Sequence, residues 1–167
     1  MLRDEGFEPE VFFYNPNIHP YKEYLRRKST FLQFAREMNI KAIIEDEFNQ
    51  NEWENFKPED KSRCTMCYMK RLDKTAQFAK QCGYDFFTST LFVSPYQDHL
   101  FMKGVSEQLQ EKYDIPFLYR DFRTGYRKGQ SKAREMGLYR QKYCGCIHSY
   151  NMSEFKDKIT WDDFQDS

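Results

Sequence analysis

The sequence lacks net charge. Its 26 lysines and arginines balance 26 aspartates and glutamates. Overall charge therefore selects no partner, and only the distribution of charge can. The sequence also lacks a long apolar run. Nothing approaches the roughly 20 residues of a membrane span, so no membrane partner is expected. The opening, Met1-Leu2-Arg3-Asp4-Glu5, has no apolar core of the kind a secretory signal carries, and a cytoplasmic location is expected. There is no G-x-x-x-x-G-K-S/T loop and no G-x-G-x-x-G turn. A nucleotide cofactor cradled by a glycine-rich loop is thereby disfavoured. No internal repeat and no low-complexity stretch is visible.

What is present is aromatic and thiol-bearing. There are 16 Phe and 12 Tyr in 167 residues, enough for one domain with a real core. Most of these rings belong inside, and a minority of the tyrosines suit base stacking. The cysteines fall at 64, 67, 82, 144 and 146. An odd count with tight pairs in a reducing compartment fits metal or redox chemistry better than a disulfide scaffold. Cys82 stands alone and reads as a small buried hydrophobe.

Apolar runs and breakers give the order of elements. Short buried strands are expected at Val11–Tyr14, Ala42–Ile44, Phe86–Thr90 and Phe117–Tyr119. Helices are expected from Pro20 to Met38, from Pro58 or Ser62 to Cys82, from Ser94 to Asp114 and from Thr124 to Met136. A short helix around Trp53 is a further expectation. Asn39 and Gly83 suit the left-handed stops of two of these helices. The alternation β-α-β-α-β-α-β-α implies an α/β fold with a mostly parallel sheet and helices on both faces. Ligands of such sheets bind beyond the carboxyl ends of the strands.

Cys64 and Cys67, three apart at a helix start, share one face. Arg63, Lys70 and Arg71 beside them favour thiolates. Cys144 and Cys146 flank Gly145, which lets both sulfurs turn toward one centre. Such a C-x-C pair can instead close a strained, easily reduced disulfide. Four thiolates fit structural zinc and an iron–sulfur cluster equally well, and spacing does not choose. Zinc usually staples small domains without a core of their own, which tilts the reading toward a functional site.

Charge is segregated. Residues 63–80 hold five basic side chains against one acid, and 120–143 hold eight against Asp121 and Glu135. The basic run, with Arg123, Arg127, Lys128 and Arg140, suits a nucleic-acid backbone or forms a solvated helix face. Tyrosines interleaved with it suit an extruded or single-stranded base. His19 lies in a strand-end loop within reach of a substrate. His99 and His148 read as surface or satisfied residues. Asp121 is the best carboxylate for a proton or metal role, with a salt bridge to a neighbouring arginine as the alternative.

Several stretches resemble the QueH-type epoxyqueuosine reductases: FFYNPNIHPYKEYLRR at 12–27, RCTMCYMKRL at 63–72, FFTSTLFVSPYQ at 86–97, and YRDFRTGYRKGQSKAREMGLYRQKYCGC at 119–146 with Ser149 beyond. The resemblance covers roughly 6–150. It implies reduction of epoxyqueuosine to queuosine in the tRNA anticodon, with electrons from an unidentified donor. It implies a [4Fe-4S] cluster and an additional iron ion, without cobalamin. Cys64 and Cys67 would be cluster ligands. Cys144 and Cys146 would be a redox-active disulfide or ligands to the extra iron, with Asp121 beside the cofactor. The family's first strand and its Cys-Cys loop have no counterpart after Met1. The resulting expectation is a Rossmann-like (HUP-like) three-layer sandwich over 1–150, N-terminally incomplete and missing its first central strand, with an acidic tail over 151–167. Two other readings remain: a zinc-binding RNA module closed by the four cysteines, and a thiol-redox protein acting through Cys144 and Cys146.

Overall fold

The computed structural model describes residues 1–159. In chain order the regular elements are β1 (Val11–Phe13), α1 (Tyr21–Glu37), β2 (Ala42–Ile44), α2 (Gln50–Glu54), α3 (Ser62–Gln81), α4 (His99–Tyr113), α5 (Tyr126–Glu135) and α6 (Ile147–Asn151). Short 3-10 turns lie at Arg3–Glu5, Thr90–Val93, Phe122–Gly125 and Lys156–Lys158. The chain forms two compact units, one from Met1–Asp60 with Met136–Ser167, the other from Lys61–Glu135.

The first unit is built on a β-α-β crossover. β1 and β2 pair in parallel, Val11 with Ala42 and Phe13 with Ile44. Parallel strands need a long connection, and α1 supplies it. Phe13, Ile18 and Tyr24 form its buried cluster, with Leu25, Phe31 and Ile44 packed against it. Phe13 meets Tyr24 and Phe31 at ring separations of 5.6 and 5.2 Å. The helix stops where Asn39 takes φ 48° and Ile40 N–H donates back to the Ala35 carbonyl at 2.9 Å. Trp53 on α2 is fully buried. Its carbonyl accepts from His148 Nε2 at 2.7 Å, which ties α2 to α6.

The second unit is mainly helical. Leu72, Ala76 and Ala79 make the buried stripe of α3, and Met102, Ser106 and Leu109 are buried on α4, the helix that packs on it. Two alanines and a serine let these helices approach closely. Asp98 caps α4 by accepting from Phe101 N–H at 3.0 Å. Gly83, at φ 72°, ends α3 in the left-handed conformation. Phe92 is fully buried, and its ring lies 5.6 Å from Phe117 and 5.6 Å from Tyr119.

The fold is α/β, with a two-stranded parallel sheet among the described residues. The expected strands at 86–90 and 117–119 contract to one parallel bridge, Phe87 with Phe117. The cause is local. Ser89 accepts from Leu91 N–H at 3.2 Å and starts a 3-10 turn instead of a longer strand. Pro116 has no N–H to give, and Phe117 N–H goes to the Gln110 side chain at 2.8 Å. The helix expected from Ser94 begins at His99, because Asp98 is the cap. The basic helix expected from Thr124 is a 3-10 turn followed by α5. Much of the expected acidic tail, residues 160–167, lies outside the described residues.

Candidate functional site

In the first unit, the turn Tyr143-Cys144-Gly145-Cys146 is pinned to the loop that leaves β1. The Gly145 carbonyl accepts from His19 N–H at 2.8 Å. The Tyr143 hydroxyl donates to the His19 carbonyl. Ile147 N–H donates to His19 Nδ1 at 3.1 Å. Nδ1 must therefore be the unprotonated nitrogen, so Nε2 carries the proton and donates to the Pro16 carbonyl at 3.0 Å. Burial pushes the His19 pKa down to about 4, which keeps this neutral tautomer at physiological pH. His19 is fully buried with both ring nitrogens engaged. It shapes the loop and offers no face to a substrate.

Arg27 of α1 holds the same turn from the other side. Its Nη1 donates to the Cys144 carbonyl at 3.0 Å and to Gln141 Oε1 at 2.9 Å. Its Nη2 donates to the Tyr143 carbonyl at 3.0 Å. Its Nε donates to Glu23 Oε1 at 2.7 Å. Glu23 is fully buried and also accepts from the Tyr139 hydroxyl, at 3.1 and 3.0 Å. Burial, with Glu23 beside it, pushes the Tyr139 hydroxyl pKa up. The Arg27 guanidinium lies 5.2 Å from the Tyr143 ring centre, and that of Arg26 lies 4.9 Å from the Tyr139 ring centre.

Gly145 has φ 141°, a conformation that side chains rarely adopt. A Cβ there would stand 3.2 Å from Asn17 Nδ2 and 3.3 Å from Arg27 Nη1. The turn thus requires a glycine both for its backbone and for its packing. Cys144 is exposed and Cys146 is buried. Ser149 links them: its hydroxyl accepts from Cys144 N–H at 3.1 Å, and its own N–H donates to Cys146 Sγ at 3.4 Å. Asn17 Oδ1, buried in the neighbouring loop, has no hydrogen-bond partner among the described residues.

In the second unit, Cys64 and Cys67 stand in the first two turns of α3. Cys64 is exposed and Cys67 is half-buried. Asp121 accepts from Arg123 N–H at 3.1 Å and from its Nε at 2.8 Å. The Arg123 contacts hold the Asp121 carboxyl down to about 2. It is therefore an ionised acceptor at neutral pH, already engaged by a cation. Arg127 and Lys128 on α5 are exposed, and so is Arg140 in the first unit. Tyr96 is 82% exposed and meets Tyr126 edge-on at 6.3 Å.

Soft thiolates are the right donors for an iron–sulfur cluster, and Cys64 and Cys67 fit it in kind. In number they are two of the four sulfurs that such a cluster takes. Among the described residues no three His, Cys, Asp or Glu side chains form a group able to hold a metal ion. Arg27, Glu23 and Tyr139 escape notice in the sequence, since Glu23 and Arg27 on α1 lie more than a hundred positions from Tyr139 and the turn they hold. The Glu23–Arg27 spacing of four on a helix was the available signal.

These features define a thiol-bearing α/β protein whose C-x-C turn is fixed by polar contacts from distant parts of the chain. The family model described as Epoxyqueuosine reductase QueH matches residues 1–152, and the chain belongs to that family. It is 35% identical over 148 residues to Epoxyqueuosine reductase QueH of Dehalococcoides mccartyi, covering 88% of this chain and 81% of that one. It is 38% identical to the protein of the same name in Haemophilus influenzae, covering 86% of this chain and 62% of the relative. The match in Thermotoga maritima is 33% identical and covers 85% and 79% respectively. The chain thus spans between about three fifths and four fifths of these relatives' lengths. No described helix is long and apolar enough to cross a membrane.

Proposed function

We propose that this chain carries out epoxyqueuosine reduction: removal of the epoxide oxygen from the modified base in a tRNA anticodon, giving queuosine. The observation that carries this reading is the built C-x-C turn, together with membership of a family whose named relatives have that activity. The reaction takes two electrons and two protons and yields an alkene and water. Oxidation of the Cys144–Cys146 dithiol to a disulfide releases two electrons and two protons, so the balance closes on this pair. An unidentified electron donor then restores the dithiol.

In this reading Cys64 and Cys67 are the thiolates that this chain offers to a [4Fe-4S] cluster. When bound, the cluster supplies electron transfer, and an additional iron near Cys144 and Cys146 supplies a Lewis acid. The pair's role as ligands to that iron is the alternative to its role as a dithiol. Asp121, held ionised by Arg123, serves as an acceptor that orients a water or a substrate hydroxyl. His19 acts through the loop it braces.

For RNA, exposed Arg127 and Lys128 on α5 suit phosphates. Arg140 is a further exposed cation. Arg123 is already paired with Asp121, so a phosphate there competes with that carboxylate. Exposed Tyr96 offers a ring on which a base can stack. The parallel β1-α1-β2 crossover supports a Rossmann-like three-layer sandwich. In this reading residues 1–150 carry the reductase function and act in the cytoplasm.

The test is direct. The chain is reconstituted anaerobically with iron and sulfide, supplied with a low-potential chemical reductant, and incubated with tRNA containing epoxyqueuosine. Nucleoside mass spectrometry is expected to show a loss of one oxygen, and Cys144→Ser is expected to abolish it. Unchanged epoxyqueuosine, with reconstituted cluster demonstrably present, overturns the reading.

A further inference from the structure

We infer that Arg27, locked by buried Glu23, is the positioning residue that presents the Cys144–Cys146 pair. The inference rests on reading that pair as the redox groups of the proposed reaction.

The contacts are concentrated where positioning needs them. The Arg27 side chain is 11% exposed and that of Glu23 is 0% exposed. Burying such a pair brings little net stability by itself, because desolvation offsets the attraction. The guanidinium instead spends its donors on one short segment. It reaches the carbonyls of Tyr143 and Cys144 and the side chain of Gln141. Those two carbonyls immediately precede Cys144 and Gly145, so they set the direction from which the chain enters the turn. Gly145 then passes bare against Nη1, where a Cβ would come within 3.3 Å. The planar fork matches two carbonyls at a fixed angle, which the single ammonium of a lysine cannot do.

Charge alone does not account for the arrangement. Glu23 neutralises Arg27 at 2.7 Å, so the field reaching the cysteines is that of a paired ion. The Tyr139 hydroxyl, donating to both Glu23 oxygens, fixes the carboxylate and through it the fork. Sequence distance shows the logic: one helix of the crossover reaches across 117 positions to the Cys144 carbonyl. The result is one exposed cysteine and one buried cysteine. That difference is readable without any substrate.

The experiment uses the full chain with its thiols reduced. Iodoacetamide labelling is followed at each cysteine by peptide mass spectrometry, with exposed Cys82 as internal reference. Cys146 in Arg27→Met and in Arg27→Lys is expected to label at least about tenfold faster than in wild type, relative to Cys82, as the turn opens locally. Tyr139→Phe is expected to give a smaller increase, about threefold, since Glu23 keeps its bond to Arg27. In the reductase assay the Arg27 variants are expected to lose about a hundredfold in kcat, with KM for tRNA unchanged, as for a misplaced reacting group. Lysine is expected not to rescue. Cys146 labelling within twofold of wild type, in a variant with wild-type circular dichroism and melting, overturns the inference. Should Arg27→Met fail to fold, Arg27→Lys and Tyr139→Phe carry the same test. If the wild-type chain itself leaves epoxyqueuosine unreduced, the functional reading fails while the labelling pattern still decides the role of Arg27.

Discussion

The two units hold their cysteine pairs in opposite ways. In the first, Cys144 and Cys146 sit in a turn whose backbone is fixed by Arg27, His19 and Ser149. In the second, Cys64 and Cys67 sit at the start of a regular helix, with Cys64 exposed. The charge differs too. The unit Lys61–Glu135 has 14 basic and 8 acidic residues, and the other has 12 basic and 18 acidic. The overall neutrality of the chain therefore hides a basic unit and an acidic one. The comparison teaches that equal residue types at similar spacing need not do equal jobs. A pair fixed by its own protein's hydrogen bonds suits chemistry that demands a set geometry. A pair on a helix start, under local positive charge, suits an inorganic ligand that brings its own geometry.

The sharpest way to break this comparison is to remove the sulfurs of the fixed pair. Cys144→Ser is expected to lower single-turnover reduction by at least about a thousandfold, as for a group that takes part in the chemistry. The melting temperature should barely change, because Cys144 is exposed. A decrease under tenfold would take Cys144 out of the reaction.

Core truncation compares the units as folded bodies. Trp53→Ala in the first unit is expected to cost about 3–5 kcal/mol, measured by urea unfolding. Leu72→Ala in the second is expected to cost about 2–4 kcal/mol. The Trp53 change also removes the ring that packs 5.3 Å from that of His19, which braces the Cys146 turn, so Cys146 labelling should rise with it. Leu72→Ala should leave that labelling alone.

Acid distinguishes the units further. Buried His19 has its pKa lowered from 6.5 to about 4. Between those values the unfolded chain binds a proton that the folded chain does not, so stability is full above about pH 6.5 and falls as pH drops toward 4. The loss is roughly 3 kcal/mol when complete. Unfolding midpoints measured from pH 7 to pH 4 should show this slope, and His19→Gln should flatten it. An unchanged slope in the variant would assign the titration elsewhere. Asp121 in the second unit, held ionised down to about pH 2, acts mainly below about pH 4 and adds little in that window.

Smaller effects concern the basic face. Arg127→Ala with Lys128→Ala is expected to weaken tRNA binding about tenfold at physiological salt and to flatten the salt dependence by roughly two phosphate contacts. Thiol labelling should stay the same. An unchanged salt slope would remove α5 from the RNA interface. The smallest effect is expected at Asp73, which accepts from exposed Lys112 at 2.7 Å. Asp73→Ala should cost under about 1 kcal/mol, measured by urea unfolding.

Much of this was legible in the sequence. Trp53 anchors a short helix as its isolation in a polar stretch implies. Asn39 and Gly83 end their helices with positive φ, since few residues tolerate that conformation. The strand–helix–strand order of the first unit follows from two apolar runs around an amphipathic segment. Legibility failed where neighbours competed for backbone donors. The aromatic run at 86–90 looks like a strand, yet Ser89 captures Leu91 N–H and turns the chain. His19 in its strand-end loop looks like a histidine within reach of a substrate, yet both nitrogens bond main-chain groups, one of them 128 positions away.

The sequence by itself determined the thiols, their spacings, the segregated charge and the resemblance, because these are properties of residue order. Only the tertiary structure decided which groups stand around the thiols. Arg27 is one basic residue among 26 until α1 folds over the crossover. Its guanidinium then meets two carbonyls that approach it only when residues 141–145 pack against that helix. Hydrogen bonds form between neighbours in space, and at a separation of more than a hundred residues no local pattern announces them.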